Sequence, residues 1–325
     1  MNAFQRGASG SDATATQLRQ LNPVTRRHTP VSIGLPVYNG ERYLKECLDS
    51  LLAQTFDDFE LIISDNASTD RTEEICREYA TREKRIKYFR NDANIGVNRN
   101  FNRLFQLSSG EYFKWACADD VCHRNLVAKC LEILERDQNV VLAYAKTTFI
   151  DDNGKALDLM DPGWNLITDV AHERLRYVIH SDHWVNAFYG LIRADSLAKT
   201  RLLPVYSGGD YRLLGELSLM GKFFELPDPL FYRRIHRNAS SQNHSLEWES
   251  EFFLGNHGRN LLPLWQLCLD HSATIIRSQL GLGRKLSLSA SVLRRMLADR
   301  NQLLRELLGA SKHRLRGVLS FKSSP

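Results

Sequence analysis

Two carboxylates stand side by side at Asp119 and Asp120, at the end of the apolar, aromatic run Tyr112 to Ala116. Adjacent anions at a sheet edge repel each other unless a cation lies between or beside them. Mg2+ or Mn2+ is held in this way, by one or two carboxylates together with phosphate oxygens and water. Taken alone, the pair reads more simply as a solvated loop or a cap on a helix beginning near Asn125. A third carboxylate, Asp65, closes another apolar run and is followed by Ser68, Thr69 and Asp70. It could accept hydrogen bonds from a nucleobase or ribose, or it could merely close a turn. Asp70 reads as a helix cap, with Glu73 at capping-box spacing. Further on, Asp210 follows Ser207-Gly208-Gly209, where glycines let a backbone approach a ligand closely. It is placed either to act on that ligand or to cap its helix. Arg233, Arg234 and His236 lie on one strand, so Arg234 and His236 share a face and Arg233 takes the other. Arg234 could neutralise leaving charge and His236 could touch metal or phosphate, although a single strand histidine is more often structural.

These groups can act together only if the fold gathers them. Val31 to Tyr38 is a short apolar run ended by Pro36 and Asn39-Gly40, as for a buried strand with a sharp exit. Leu44, Leu48, Leu51 and Leu52 follow at helical spacing. Phe59 to Ser64 is the next strand, with a helix from about Asp70. Ile86 to Phe89, the helix Val97 to Leu107 and the strand Tyr112 to Ala116 complete the alternation. Such alternation argues for a mainly parallel sheet flanked by helices, and ligands bind beyond the carboxyl ends of its strands. Residues 36–41, 65–70 and 118–120 all follow strands, so they should converge on one margin. A helix (Asn125 to Asp137), a strand (Val140 to Ala145), a less regular stretch to about Tyr206 and two short strands, Phe223 to Leu226 and Leu230 to Ile235, come next. The expected organisation is a disordered lead-in (1–30), two halves of one domain (31–120 and 121–243) and a helical, basic extension (244–325).

The 325 residues are 43% hydrophobic and 25% charged, an ordinary globular composition, and the net charge of +5 does not imply nucleic-acid binding. No stretch approaches the roughly 18 apolar residues of a membrane span. The polar first thirty residues lack the apolar run of a secretory signal. The six cysteines form no C-x-x-C pair and mostly lie in apolar patterns, which suits small buried hydrophobes in a reducing cytosol.

The run Val31-Ser-Ile-Gly-Leu-Pro-Val-Tyr-Asn-Gly-Glu-Arg-Tyr-Leu44 resembles the opening strand and loop of family-2 glycosyltransferases. So do Ala53-Gln-Thr-Phe56, Phe59-Glu-Leu-Ile-Ile-Ser-Asp-Asn-Ala-Ser-Thr-Asp70, Asn94-Ile-Gly96, Arg99-Asn100, Ser109-Gly-Glu-Tyr112 and Asp119-Asp120. The resemblance is dense from Val31 to Asp120 and looser over the next hundred residues. It implies a GT-A-type, Rossmann-like fold, a nucleoside-diphosphate sugar donor and an inverting transfer to a hydroxyl of a polysaccharide, lipid-linked glycan or other envelope glycan. Pro36, Tyr38 and Glu41 then border the nucleotide, Asp65 binds the base, and Arg99 and Asn100 lie near the donor. An equal alternative makes Asn100 a polar helix-face residue. Asp119-Asp120 matches the metal-binding acids, with Asp120 the direct ligand and Cys117 standing where many members carry the first acid. Asp210 matches the acid that activates the acceptor. Phe231 to His236 matches a late segment with basic groups near the pyrophosphate.

From Leu293 to Leu308 an apolar stripe (Leu293, Met296, Leu297, Leu303, Leu304, Leu307, Leu308) is surrounded by arginines and lysines. Such a helix lies on an anionic membrane surface, or packs its stripe on the catalytic domain or on a second subunit in a homodimer. The expected location is cytoplasmic, at most peripheral to the membrane. Two rivals to the transferase reading are a nucleotidyltransferase, which should show a glycine-rich basic loop after the first strand, and a non-catalytic nucleotide-sugar binder. A nucleic-acid binder would need aromatics interleaved with the basic tail, and they are missing.

Overall fold

A computed structural model describes residues 30–182, 184–237, 239, 252–255 and 262–321. The expected lead-in falls, except for Pro30, outside them. The strands are β1 (Val31–Val37), β2 (Phe59–Asp65), β3 (Ile86–Arg90), β4 (Tyr112–Trp115), β5 (Val121–Cys122), β6 (Val140–Ile150), β7 (Leu191–Arg193) and β8 (Lys222–Arg234). They form one mixed sheet in the order β3-β2-β1-β4-β7-β6-β8-β5. β3, β2, β1 and β4 run parallel, as do β6 and β8; β7 and β5 are antiparallel to their neighbours.

The period-2 geometry of strands splits their side chains between two helical layers. One core joins Val31, Ile33, Leu35, Phe59, Leu61 and Ile63 to α1 (Leu44–Leu52), α2 (Thr72–Arg82) and α4 (Leu126–Arg136). The opposite core joins Ile62, Phe113, Trp115 and Ile192 to α3 (Val97–Leu107), α5 (Ala171–His180) and α7 (Gly209–Met220). Leu44, Leu48 and Leu51 are wholly buried, each contributing about 1.5–3 kcal/mol relative to exposure. Both halves of the chain contribute to both cores, so they form one domain. A short α6 (Ala194–Ala198) follows β7. The extension comprises α8 (Pro263–Arg277), α9 (Leu282–Ala298) and α10 (Arg300–Phe321). It packs through Cys268, Ile275, Leu288 and Val292 onto Leu175 and Ile179 of α5.

The two strands expected at 223–226 and 230–235 are one long strand, β8. Its prolines are accommodated because the β6–β8 register shifts around Lys146, opposite Pro229, and a bulge is where a strand tolerates proline. The region expected to be irregular up to Tyr206 contains α5, a short helical turn (Asn186–Tyr189), β7 and α6.

Candidate active site

The margin formed by the carboxyl ends of β1, β2 and β4 carries the site, because β1 lies between the other two and brings their exit loops together. Val37 pairs with Asp65 and Pro36 with Ser64. The loops after β1 and β2 clasp each other. Asn39 and Gly40 donate their backbone N–H to the hydroxyls of Ser68 and Thr72, each at 2.9 Å. In return the Asn39 side chain accepts from the Thr69 N–H at 2.8 Å, and Glu41 accepts from the Arg71 N–H at 3.0 Å. Glu41 thus fastens the start of α2, while Tyr38, 43% exposed, stands free at the rim. Asp70 caps α2 through the Thr72 N–H at 3.0 Å; Glu73 pairs with Arg77 instead of completing a capping box.

Asp65 is fully buried. Its carboxylate accepts from the Ser68 N–H at 2.8 Å, the Tyr88 hydroxyl at 2.9 Å and the Arg90 guanidinium at 2.5 Å. These bonds lock the end of β2 to β3 and to the following loop. Asp65→Ala is therefore expected to destabilise the ligand-free protein by about 2–3 kcal/mol, below the range for a fully buried pair because Arg90 is partly exposed. Denaturant unfolding checks this; an unchanged midpoint would show that the carboxylate has no structural part.

Behind the rim lies an amide network that sequence reasoning missed. Asn66 bonds Asn94, Asn91 bonds both Asn66 and Asn100, and Asn100 exchanges hydrogen bonds with Ser64. Asn100, 2% exposed, thus holds the end of β2 from below. Arg99 donates to the carbonyls of Ile95 and Leu254. The turn between them needs Gly96, whose φ is +83° and whose missing Cβ would meet the Phe253 carbonyl at 2.3 Å. The signal was present in the density of asparagines from Asn91 to Asn102.

The acids after β4 form the chemical centre. The sulfur of Cys117 and carboxylate oxygens of Asp119 and Asp120 lie within 4.8 Å of one another. Asp120 is 5% exposed; burial first, and then Asp119, pushes its carboxyl well above the ordinary aspartate value. Burial and the same two acids push the Cys117 thiol up as well. Two crowded, half-dehydrated carboxylates are a poor arrangement without a cation, and their oxygens suit Mg2+ or Mn2+. The donor set therefore fits the expected metal, with the softer Cys117 sulfur beside it.

Arg234 and His236 flank the acids on one side, as strand alternation predicts. The Arg234 backbone N–H donates to Asp120 at 2.8 Å. Its guanidinium, 1% exposed as a side chain, donates to the carbonyls of Asp119, Asp151 and Asp152 and to Glu46. These bonds make it a strut that fixes the Asp119–Asp120 backbone. His236 Nε2 lies 3.0 Å from the Asp119 carboxylate, its ring tilted against Tyr43, and it stands outside the group of three close ligands.

Arg233, which sequence reasoning left unassigned, takes the face opposite Arg234, toward Asn186 and Trp184. Its guanidinium is held by Asn186 at 2.7 Å and lies over the Trp184 ring at 5.3 Å; Asn186 is anchored by Asp161 at 2.6 Å. Burial opposes its charge, while Tyr189, Asp120, Cys117 and Asp119 favour it, and the balance keeps it firmly protonated.

Asp210 occupies the first turn of α7, after Gly208 in a left-handed conformation (φ +86°). It accepts from the Tyr211 N–H at 3.0 Å. Burial raises its pKa against that bond and against the charge of Arg233. Its approach is fixed from two directions. Asn98 and Asn102, one turn apart on α3, hold the carbonyls of Leu203, Pro204 and Tyr206. From the extension, Asp270 accepts from Tyr206 at 2.6 Å and Arg201 at 2.7 Å, and Arg201 also grips Glu216 of α7.

A mixed sheet between two helical layers, with acids gathered at one margin, defines a GT-A-type fold. The profile of glycosyl transferase family 2 matches residues 32–190. Chondroitin synthase of Escherichia coli is 26% identical over 270 residues, covering 79% of this chain and 38% of that protein. Among solved structures, S. aureus TarS in complex with UDP-GlcNAc superposes with a TM-score of 0.63 at 18% identity, covering 82% of this chain and 72% of that one. A mannosyltransferase from Pyrobaculum calidifontis in complex with GDP-Man and Mn2+ superposes with a TM-score of 0.52 at 15% identity, covering 93% and 86%. The chain spans about a quarter to a half of the length of the first curated relatives it matches. No helix among the described residues is long and apolar enough to cross a membrane.

Proposed function

We propose that the chain is an inverting glycosyltransferase that moves a sugar from a nucleoside-diphosphate sugar to a hydroxyl of a glycan or lipid-linked glycan. The observation that carries this reading is the grouping of Cys117, Asp119 and Asp120 within 4.8 Å of one another at the sheet margin, with Arg233 close enough to Asp120 and Asp210 to favour their charged forms. The paired acids offer a place for a metal-bound diphosphate, the half-buried Arg233 adds positive charge beside them, and Asp210 supplies a base. The nucleoside lies across the rim made by Pro36, Tyr38 and the loop that Asp65 braces. Asp119 and Asp120 would hold a Mg2+ or Mn2+ ion, which would supply Lewis-acid stabilisation of charge on the departing diphosphate. Arg234 and His236 keep those two carboxylates in place. Asp210 accepts the proton of the acceptor hydroxyl as its oxygen bonds to the anomeric carbon. The bond from that carbon to the diphosphate oxygen breaks on the opposite face, which inverts the configuration.

Incubation of the full chain with UDP- and GDP-sugars, Mn2+ and a panel of glycan acceptors should release nucleoside diphosphate with acceptor-dependent kinetics. Pyrophosphate as the product would make it a nucleotidyltransferase, and ligand binding with no turnover on any acceptor would make it a binding protein.

A further inference from the structure

The C-terminal leucines do not form the single packed stripe that their spacing suggests. On α9, Leu288 and Val292 are buried against α5 and α8, with Met296 beside them. On α10, Leu303 is 4% exposed. Leu282, Leu286, Leu293 and Leu297 stay 60–75% exposed, and their spacing aligns them along the α9 face away from Leu288 and Ser291. Leu304 and Leu308, one turn apart on α10, are 56% and 62% exposed. One uncovered leucine is unremarkable; six on two consecutive helices, four of them along one face of α9, call for an occupant.

Charge identifies that occupant. Residues 282–310 contain six basic and two acidic side chains. Both acids are spent internally. Asp299 pairs with Arg295, and Glu306 accepts from the backbone N–H groups of Leu264 and Trp265. Arg294 and Arg305, which flank the exposed leucines, meet no carboxylate among the described residues. We propose that α9 and α10 seat the protein on an anionic bilayer, with the leucines at the acyl boundary and the basic side chains among lipid phosphates. A second copy of the same face would set basic side chains against basic side chains, because a two-fold interface is self-complementary. An anionic lipid surface complements them. The inference rests on these helices alone and does not use the transferase reading.

Flotation of the full chain with vesicles tests it. Binding is expected to vesicles of phosphatidylglycerol and phosphatidylcholine, to weaken with salt, and to be absent from pure phosphatidylcholine. The triple variant Leu286→Gln, Leu293→Gln, Leu297→Gln should lower partitioning roughly a hundredfold or more with an unchanged unfolding midpoint. Should that variant misfold, Arg294→Glu with Arg305→Glu decides, since each basic residue removed should lower partitioning about fivefold. Failure of the wild-type chain to float with anionic vesicles would overturn the proposal, as would undiminished flotation of the variants. Self-association in solution that the triple variant abolishes, without vesicle binding, would make the face a subunit interface instead.

Discussion

Asp210→Asn is expected to lower turnover by roughly 10²–10⁴-fold, the range for losing a general base, while donor binding is retained. The substitution keeps the shape and the acceptor oxygen that meets the Tyr211 N–H at 3.0 Å, so the start of α7 should not move. It removes only the capacity to take a proton. Burial raises the Asp210 pKa, so the acid limb of the kcat/KM profile should lie above the ordinary aspartate range. Stability supplies a second readout of opposite sign. The folded chain holds this carboxyl at a higher pKa than the unfolded chain does. The folded state therefore binds the proton more readily, and Asp210 costs stability as pH rises through its raised value. The Asn variant avoids that cost and should be at least as stable as the wild type at neutral pH. An equal loss of donor affinity would assign Asp210 to binding, and a lower unfolding midpoint would show that its negative charge stabilises the start of α7.

Asp120→Asn is expected to abolish metal-dependent nucleoside-diphosphate binding. The amide oxygen can still accept from the Arg234 N–H, the contact made at 2.8 Å by the carboxylate, so the end of β8 stays anchored. With a nucleoside diphosphate at about 100 times its dissociation constant, the wild-type chain should gain about 2.7 kcal/mol of stability in the presence of Mn2+. Chelation should remove most of that gain, and the variant should lack it with or without the ion. Without ligand the variant should unfold no earlier, because burial and Asp119 already oppose the charge on Asp120. A full Mn2+-dependent shift in the variant would place the ion elsewhere.

The half of the fold up to Asp120 was legible because most of its strands are continuous apolar runs and its first helix carries leucines at helical spacing. Val97–Leu107 begins and ends where periodicity predicts. The second half was harder to read. A three-residue strand such as β7 has too few positions to show a period, and the prolines of β8 read as breaks until the β6 register shift accommodates them. Asp65 and the Asp119–Asp120 pair could be placed at one margin for the same reason as the first strands: each follows an apolar run, and a parallel sheet gathers such ends; Asp210 opens a helix and carried no such signal. Side-chain direction was not. Strand alternation correctly separated Arg233 from Arg234, but only the packing shows that Arg233 is held by Asn186 and Trp184. Asn100, Glu41 and Arg234 are polar residues at plausible donor distance in sequence, yet their hydrogen bonds are spent on backbone and neighbouring side chains. Periodicity cannot distinguish a residue that touches a ligand from one that holds the residue that does.

The most direct test is a crystal structure of the full chain with Mn2+ and an unreacted nucleoside-diphosphate sugar. The expected result is an ion bound by Asp119 and Asp120 at about 2.1 Å, the diphosphate on that ion, and the Asp210 carboxylate across the anomeric carbon from the leaving oxygen. A diphosphate bound away from those two aspartates, or Asp210 on the same side of the sugar as the departing phosphate, would contradict it.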